Sequence, residues 1–160
     1  MTTTSGTATV TLPSDTQILI TREFAAPKHL VFTAWTTPEL VRRWWGGQCR
    51  EMSVCEIDLR VGGTWRYALT AEGGLEVAFR GVYREVVPNE RLVSTEVFEA
   101  LPDHPALSTT TFSEVDGRTT LTLLVDHLCQ EDRDGHIDSG MEGGMQEGMD
   151  LLEQIAVSLA

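Results

Sequence analysis

Apolar residues recur at two different periods along this chain, and the changes of period mark out its elements. From Gln17 to Phe24, Ile18, Ile20 and Phe24 take one side and Thr21 and Glu23 the other, the period-two pattern of a strand. Ala26-Pro27 breaks it, and Pro27 suits the first turn of a short helix over Lys28–Trp35. Thr37 then stands as a cap and Pro38 at the first position of a second short helix, which runs to about Trp45 and stops at Gly46-Gly47. From there to His127 the pattern is a β-meander. Strands are expected at Met52–Arg60, Thr64–Thr70, Glu76–Val86, Arg91–Glu99, Ser108–Val115 and Arg118–His127. Gly62-Gly63, Glu72-Gly73-Gly74 and Pro88-Asn89 separate them, and Asp116-Gly117 is a strong hairpin dipeptide. The acidic stretch Gln130–Asp138 reads as a loop.

The period changes again in the last stretch, Ile137 to Leu159. Met141, Met145 and Met149 recur every four residues, followed by Leu152, Ile155 or Ala156, and Leu159, which is one face of an α-helix. Ser139 and Glu142 have the spacing of a capping box, so the helix starts there or one turn earlier. Gly140, Gly143, Gly144 and Gly148 interrupt it. Four glycines cost a helix interior roughly 3–4 kcal/mol relative to alanine. Such a helix is held by what it lies against.

The predicted order is one strand, two short helices, six strands and a long helix, without repeats or a second domain. Seven strands cannot leave a whole face bare, and the last helix, about 30 Å long, is the only element able to cover one. The fold class is therefore α+β: a curved antiparallel sheet gripping a C-terminal helix. Alternation assigns Trp65, Tyr67 and Leu69 to one face, and likewise Val77, Phe79, Gly81 and Tyr83, with Arg66, Arg80 and Arg84 opposite. Leu121, Leu123, Val125 and His127 share another inward row. The strand around Leu92 is ambiguous, because Val93, Thr95 and Val97 compete for the inside; if Leu92 and Phe98 face in, so does Glu96.

Composition narrows the function classes. A chain of 160 residues with 41% hydrophobic and 22% charged residues fits one soluble domain. Its 12 Lys plus Arg against 24 Asp plus Glu, net −12, argue against nucleic acid and anionic membranes as partners. No apolar run approaches the roughly 18 residues of a membrane span. Cys49, Cys55 and Cys129 form no CxxC and read as reduced thiols, and the N-terminus has no secretory signal pattern, so a cytoplasmic protein is expected. The Thr/Ser-rich residues 1–14 read as a flexible tail, leaving 15–160 as a single domain.

Candidate chemistry is sparse. Trp44, Trp45, Trp65, Tyr67 and Tyr83 offer aromatic surface suited to a planar or apolar guest, or plain core and rim. Met141, Met145 and Met149 can line an adaptable pocket or simply pack. Glu96, if buried without a partner, would have a raised pKa and serve as proton donor or acceptor; the plainer reading turns it to solvent or to an arginine. His127 can anchor a ligand or act as acid or base, or be a hydrogen-bonded rim histidine. His104 beside Asp103 does not match a zinc pattern. Nor do Asp132, Asp134, His136 and Asp138, which also lack the length and terminal glutamate of an EF-hand. There is no phosphate loop and no nucleophile elbow, so no metal and no cofactor are expected and the catalytic residues are unknown.

Five segments, ITREFAAPKHLVFTAWTTPELVRRWWG, EIDLRVGGTWRY, FRGVYREVVPNERLVST, TTLTLLVDH and SGMEGGMQEGMDLLEQI, resemble a bacterial group within the START-like (SRPBCC) superfamily. The group is homologous to the C-terminal domain of the activator of the ninety-kilodalton heat-shock chaperone's ATPase. The resemblance runs from about Ile18 to Leu159. It implies the helix-grip fold with a cavity between sheet and helix, and a hydrophobic small molecule as the usual partner. The eukaryotic activator carries a separate N-terminal chaperone-binding domain that does not fit before Ile18, and the family has no fixed catalytic set to carry over. The leading expectation is a ligand-binding protein whose cavity is lined by Trp65, Tyr67, Phe79, Tyr83, Phe98, Met141, Met145 and Met149, with Glu96 and His127 as polar anchors. The alternatives are a cyclase, dehydratase or hydrolase using Glu96 or His127 as acid or base, and a chaperone-interacting or dimerising module; a homodimer is left open.

Overall fold

The computed structural model describes residues 8–45, 51–70 and 72–160. The expected stop at Gly46-Gly47, Cys49 and the first half of the expected tail lie outside the described residues. Eight strands are described: β1 (Thr9–Thr11), β2 (Gln17–Phe24), β3 (Glu51–Ile57), β4 (Thr64–Thr70), β5 (Glu76–Val87), β6 (Arg91–Phe98), β7 (Ala106–Val115) and β8 (Arg118–Asp126). They form one antiparallel sheet in the order β1-β2-β8-β7-β6-β5-β4-β3. The helices are α1 (Lys28–Thr36), α2 (Pro38–Trp44), α3 (Gln130–Asp138) and α4 (Met141–Ser158). This is the expected α+β helix-grip architecture. From β3 to β8 the chain is a meander of sequential neighbours, and the β7–β8 turn has positive φ at both Asp116 (53°) and Gly117 (76°), as a two-residue hairpin loop requires.

The order has one consequence that strand-by-strand reading did not supply. β2 pairs with β8, eight residue pairs from Gln17↔Asp126 to Phe24↔Thr119, so the chain must cross from there to β3 at the far edge. α1 and α2 make that crossing. They carry Val31, Phe32, Ala34, Val41 and Trp44 into the core with Ile18, Ile20 and Phe24 of β2, Leu121 and Val125 of β8, and Met149, Leu152, Ile155 and Ala156 of α4. Removing this much apolar surface from water is the main favourable term holding the helix, at about 25 cal/mol per Å².

Four expectations are corrected. Thr9–Thr11, inside the expected tail, pairs with Leu19–Thr21. The pairing is secured from α4: Ala8 donates to Gln146 Oε1 at 2.9 Å, and Gln146 Nε2 donates to the Ala8 carbonyl at 2.7 Å. Gln130–Asp138, expected as a loop, is α3. Its acidic first turn, Glu131 and Asp132, complements the helix dipole, and the buried Arg133 anchors it by donating to the Ser14 carbonyl at 2.7 Å. The Ser139–Glu142 capping box does not form. Gly140, at φ 82°, is the N-cap of α4, and Ser139 Oγ donates to the His136 carbonyl at 2.6 Å. Nor does the Thr37 side chain cap α2.

β2 carries a charge inside the sheet. Arg22 lies in the inward row with Ile18, Ile20 and Phe24 and is fully buried. Its Nη2 donates to Asp150 Oδ1 of α4 at 2.7 Å and, at 3.5 Å, to Glu153 Oε1. Glu153 Oε2 in turn accepts from the Ala25 N–H at 2.8 Å. The strand end and the helix are thus tied by charge-assisted bonds, the one to Glu153 buried and the one to Asp150 at the solvent edge.

The α4 glycines divide by environment. A Cβ on Gly148 would sit 2.8 Å from the Trp44 carbonyl oxygen, so this glycine lets α4 close on the end of α2. Gly143 and Gly144 face open space. G148A should therefore destabilise the fold by about 1–3 kcal/mol through overpacking, whereas G144A should stabilise it by about 0.5–1 kcal/mol through helix propensity; urea unfolding midpoints check both. For the buried charge, R22M should cost about 3–5 kcal/mol by stranding carboxylates, and R22M/E153L should recover part of that loss, read by the same titration.

Candidate functional site

The concave face of β4, β5 and β6 gathers most of the aromatic candidates. In an antiparallel pair, residues directly opposite share a face. Tyr67 pairs with Phe79, Phe79 with Phe98, and Tyr83 with Ser94. Phe79 and Phe98 stack at 5.1 Å between centroids; Trp65 and Tyr67 lie at 4.8 Å. Trp45, just past the end of α2, closes over them edge-on, 5.0 Å from Tyr67 and 5.3 Å from Phe79. The ambiguity of β6 is thereby resolved. Leu92 belongs to the core, Phe98 meets Phe79, and Glu96, in the same alternating row, faces inward between them.

Small residues surround Glu96. On β7 its partner is Ala106. On β5 the register between Arg80↔Val97 and Tyr83↔Ser94 sets it opposite Gly81. A Cβ at Gly81 would sit 1.8 Å from the Thr95 carbonyl oxygen and 2.5 Å from Trp65 Nε1. Glycine is therefore required, and the Trp65 indole rests across the strand at that point. Two buried polar atoms here have no hydrogen-bond partner: Trp65 Nε1 and Ser108 Oγ, the latter across from Ser94 on β7. The Glu96 carboxyl likewise has no hydrogen bond or ion pair among the described residues.

By surface area Tyr67, Phe79, Glu96 and Phe98 are only half-buried. Tyr67 and Glu96 nonetheless stand where solvation is poor. Burial pushes the Tyr67 phenol well above its usual range, with the nearby Tyr83, Cys55 and Glu96 adding to it. Burial likewise raises the Glu96 carboxyl, and no described cation offsets the rise. The Tyr83 hydroxyl and the Cys55 thiol beside them are also pushed up by burial, the thiol to about 11. Trp65 and Tyr83 are buried.

The methionines sit differently. Met149 is part of the main core, and Met141 and Met145 pack partly buried at its margin. Trp65, Phe79, Tyr83 and Phe98 stand outside that core cluster among the described residues. His127 stands apart from Glu96. Its Nε2 lies 3.0 Å from His136 Nδ1 on α3, with the rings edge-on at 5.1 Å, and it borders an open depression of about 380 Å³ shared with Arg84, Thr95, Leu107 and Leu128. Nearby, His104 Nδ1 meets Asp132 Oδ1 at 2.8 Å. Reading α3 as a loop hid the His136 partner. Ser108 and Ser94 were also missed, although each holds an inward position in its strand's alternation. Among the described residues no helix is long and apolar enough to cross a membrane, and no group of three or more His, Cys, Asp or Glu side chains is placed to hold a metal ion.

A curved antiparallel sheet closed by a long C-terminal helix, with an aromatic concave face, defines the helix-grip class, whose members commonly bind small hydrophobic ligands. Residues 25–156 match the family model "Activator of Hsp90 ATPase homolog 1-like protein", and the chain belongs to that family. It is similar to the solved structure of a Rhodobacter sphaeroides protein at TM-score 0.87 and 26% identity, covering 96% of this chain and 99% of that one. A Staphylococcus epidermidis protein is similar at TM-score 0.79 and 26% identity, covering 95% of each chain. A Mycobacterium smegmatis protein shares the fold at TM-score 0.82 and 24% identity, covering 92% of this chain and 96% of that one. No curated protein matches the chain.

The histidine pair generates a pH dependence. Burial, with the repulsion of His127 second, lowers His136 from 6.5 to about 4; burial lowers His127 too, against the opposing pull of Asp132 and Asp126. The unfolded chain binds the proton more readily, so stability is full above about 6.5 and is lost as pH falls toward 4. Wild type should lose about 1–2 kcal/mol between pH 6.5 and 4.5 that H136Q does not lose, measured by urea unfolding across that range.

Proposed function

We propose that this protein binds a small hydrophobic or aromatic ligand between the concave face of the sheet and α4. Trp65, Tyr67, Phe79, Tyr83 and Phe98 line the site, Glu96 is its polar anchor, and Met141 and Met145 form an adaptable margin above Met149. His127, engaged with His136, is left out of this set. One observation carries the reading. Burial raises the Tyr67 phenol and the Glu96 carboxyl, yet both, with Phe79 and Phe98, retain open surface, as side chains facing internal free space do. Two facts support it. The polar atoms Trp65 Nε1 and Ser108 Oγ are buried without partners, a cost of about 1–3 kcal/mol each that a guest or ordered water offsets. The rings keep 4.8–5.3 Å spacings that present faces as well as edges to a planar molecule.

A second reading has its own observation: the raised carboxyl of Glu96 suits a general acid or base at neutral pH. Cyclase, dehydratase or hydrolase chemistry would follow. It requires that E96Q still bind the guest but no longer turn it over.

The binding reading is tested by titrating aromatic polyketides and long-chain fatty acids against the tryptophan fluorescence, together with native mass spectrometry of protein purified from its own host. Saturable one-to-one binding, weakened roughly tenfold in F98A by loss of one buried ring face, is the expected result. Absence of saturable binding together with a ligand-free mass counts against the site.

A further inference from the structure

Among the described residues Glu96 is a carboxylate without a cation, on a face rich in aromatic rings. Its strand neighbours, Gly81 and Ala106, offer no side chain to pair with it. The arginines of β4 and β5 are committed elsewhere or face the other way: Arg66 binds Glu99 at 2.8 Å, and Arg80 and Arg84 alternate to the outer face with exposed side chains. Arg22, the inward cation of β2, is bound to Asp150 and Glu153. Trp65, Tyr67, Phe79 and Phe98 share the concave face with Glu96, and their π faces carry partial negative charge.

A buried carboxylate is stable when paired and costly when alone. Ring faces attract a positive charge, the more strongly when it is desolvated. Both features call for the same missing partner, and neither is useful to a carboxylate ligand or a purely apolar one. On the reading that this face binds a small molecule, we propose that the ligand is an organic cation: an amine or quaternary ammonium on an aromatic or hydrophobic body, its nitrogen against Glu96 and the rings of Trp65, Tyr67, Phe79 and Phe98. The acidic balance of the chain, 24 Asp plus Glu against 12 Lys plus Arg, favours approach of such a ligand. Ala106, the β7 partner of Glu96, presents only a methyl group beside the carboxylate.

The test is a charge series on one ring system. 1-Naphthylmethylamine, its N-trimethyl derivative, 1-naphthylmethanol and 1-naphthylacetate are titrated calorimetrically into the full chain at neutral pH. Both cations should bind roughly 10- to 100-fold tighter than the alcohol, with the anion weakest. E96Q should bring the cations to the level of the alcohol while the alcohol's own affinity stays within about threefold of wild type. Should E96Q not fold, the wild-type series still reads the preference. An alcohol bound as tightly as the amine, or a cation preference that survives in E96Q, overturns the cation assignment and leaves the ligand site standing. No binding of any of the four overturns both.

Discussion

The buried guanidinium of Arg22 sets the relation between helix and sheet. It sits in an otherwise apolar row of β2, over the Phe24 ring at 4.7 Å, and reaches across to Asp150 and Glu153 on α4. An apolar helix face can slide or turn on an apolar sheet at modest cost, since hydrophobic contact is non-directional. Charge-assisted bonds from a buried guanidinium are directional and permit far less. Glu153 extends the constraint to the backbone of Ala25, where the chain leaves the sheet for α1. Rotation of α4 is thereby limited, and with it the facing of Met149 to the core and of Gly148 to Trp44.

That constraint divides the interior into unlike parts. Around β2, β8, α1, α2 and the C-terminal half of α4 the packing is continuous, with Ile18, Val31, Ala34, Val41, Leu121, Leu152 and Ala156 sealed from solvent. Under β4, β5 and β6 the inward side chains are aromatic, partly open and dotted with polar atoms that have no partner. Native proteins pair nearly all their buried polar groups. At this face Trp65 Nε1 and Ser108 Oγ are exceptions, as Arg22 Nε is in the packed part.

α3 and β1 brace the other end. Arg133 holds the Ser14 carbonyl and Asp134, and Gln146 holds Ala8. The chain before β2 is thus stitched to both C-terminal helices. The His127–His136 contact belongs to this brace, which explains why a histidine at the end of an inward row is a structural neighbour of α3 and not a partner of Glu96.

What the residues determine alone is what depends on local periodicity. The strands Gln17–Phe24 and Thr64–Thr70 emerge with their bounds as read, because alternation is repeated several times in each. The long amphipathic helix and the α+β class follow from the same regularity, and so do the inward aromatics of β4 and β5. Where period gave no majority, between Leu92, Ser94, Glu96 and Phe98 and their competitors, only the stacking of Phe98 on Phe79 decided the face. α3 was not legible because its sequence is almost wholly polar; its order comes from Arg133 meeting a carbonyl more than a hundred residues away. Arg22 drew no notice in the alternation of its strand, and only the tertiary structure brings two acids from α4 to it. The common reason is that these contacts join separate elements: the charges of Arg22 and Arg133 and the clearance of Gly148 are set by segments a hundred or more residues away, which no local pattern encodes.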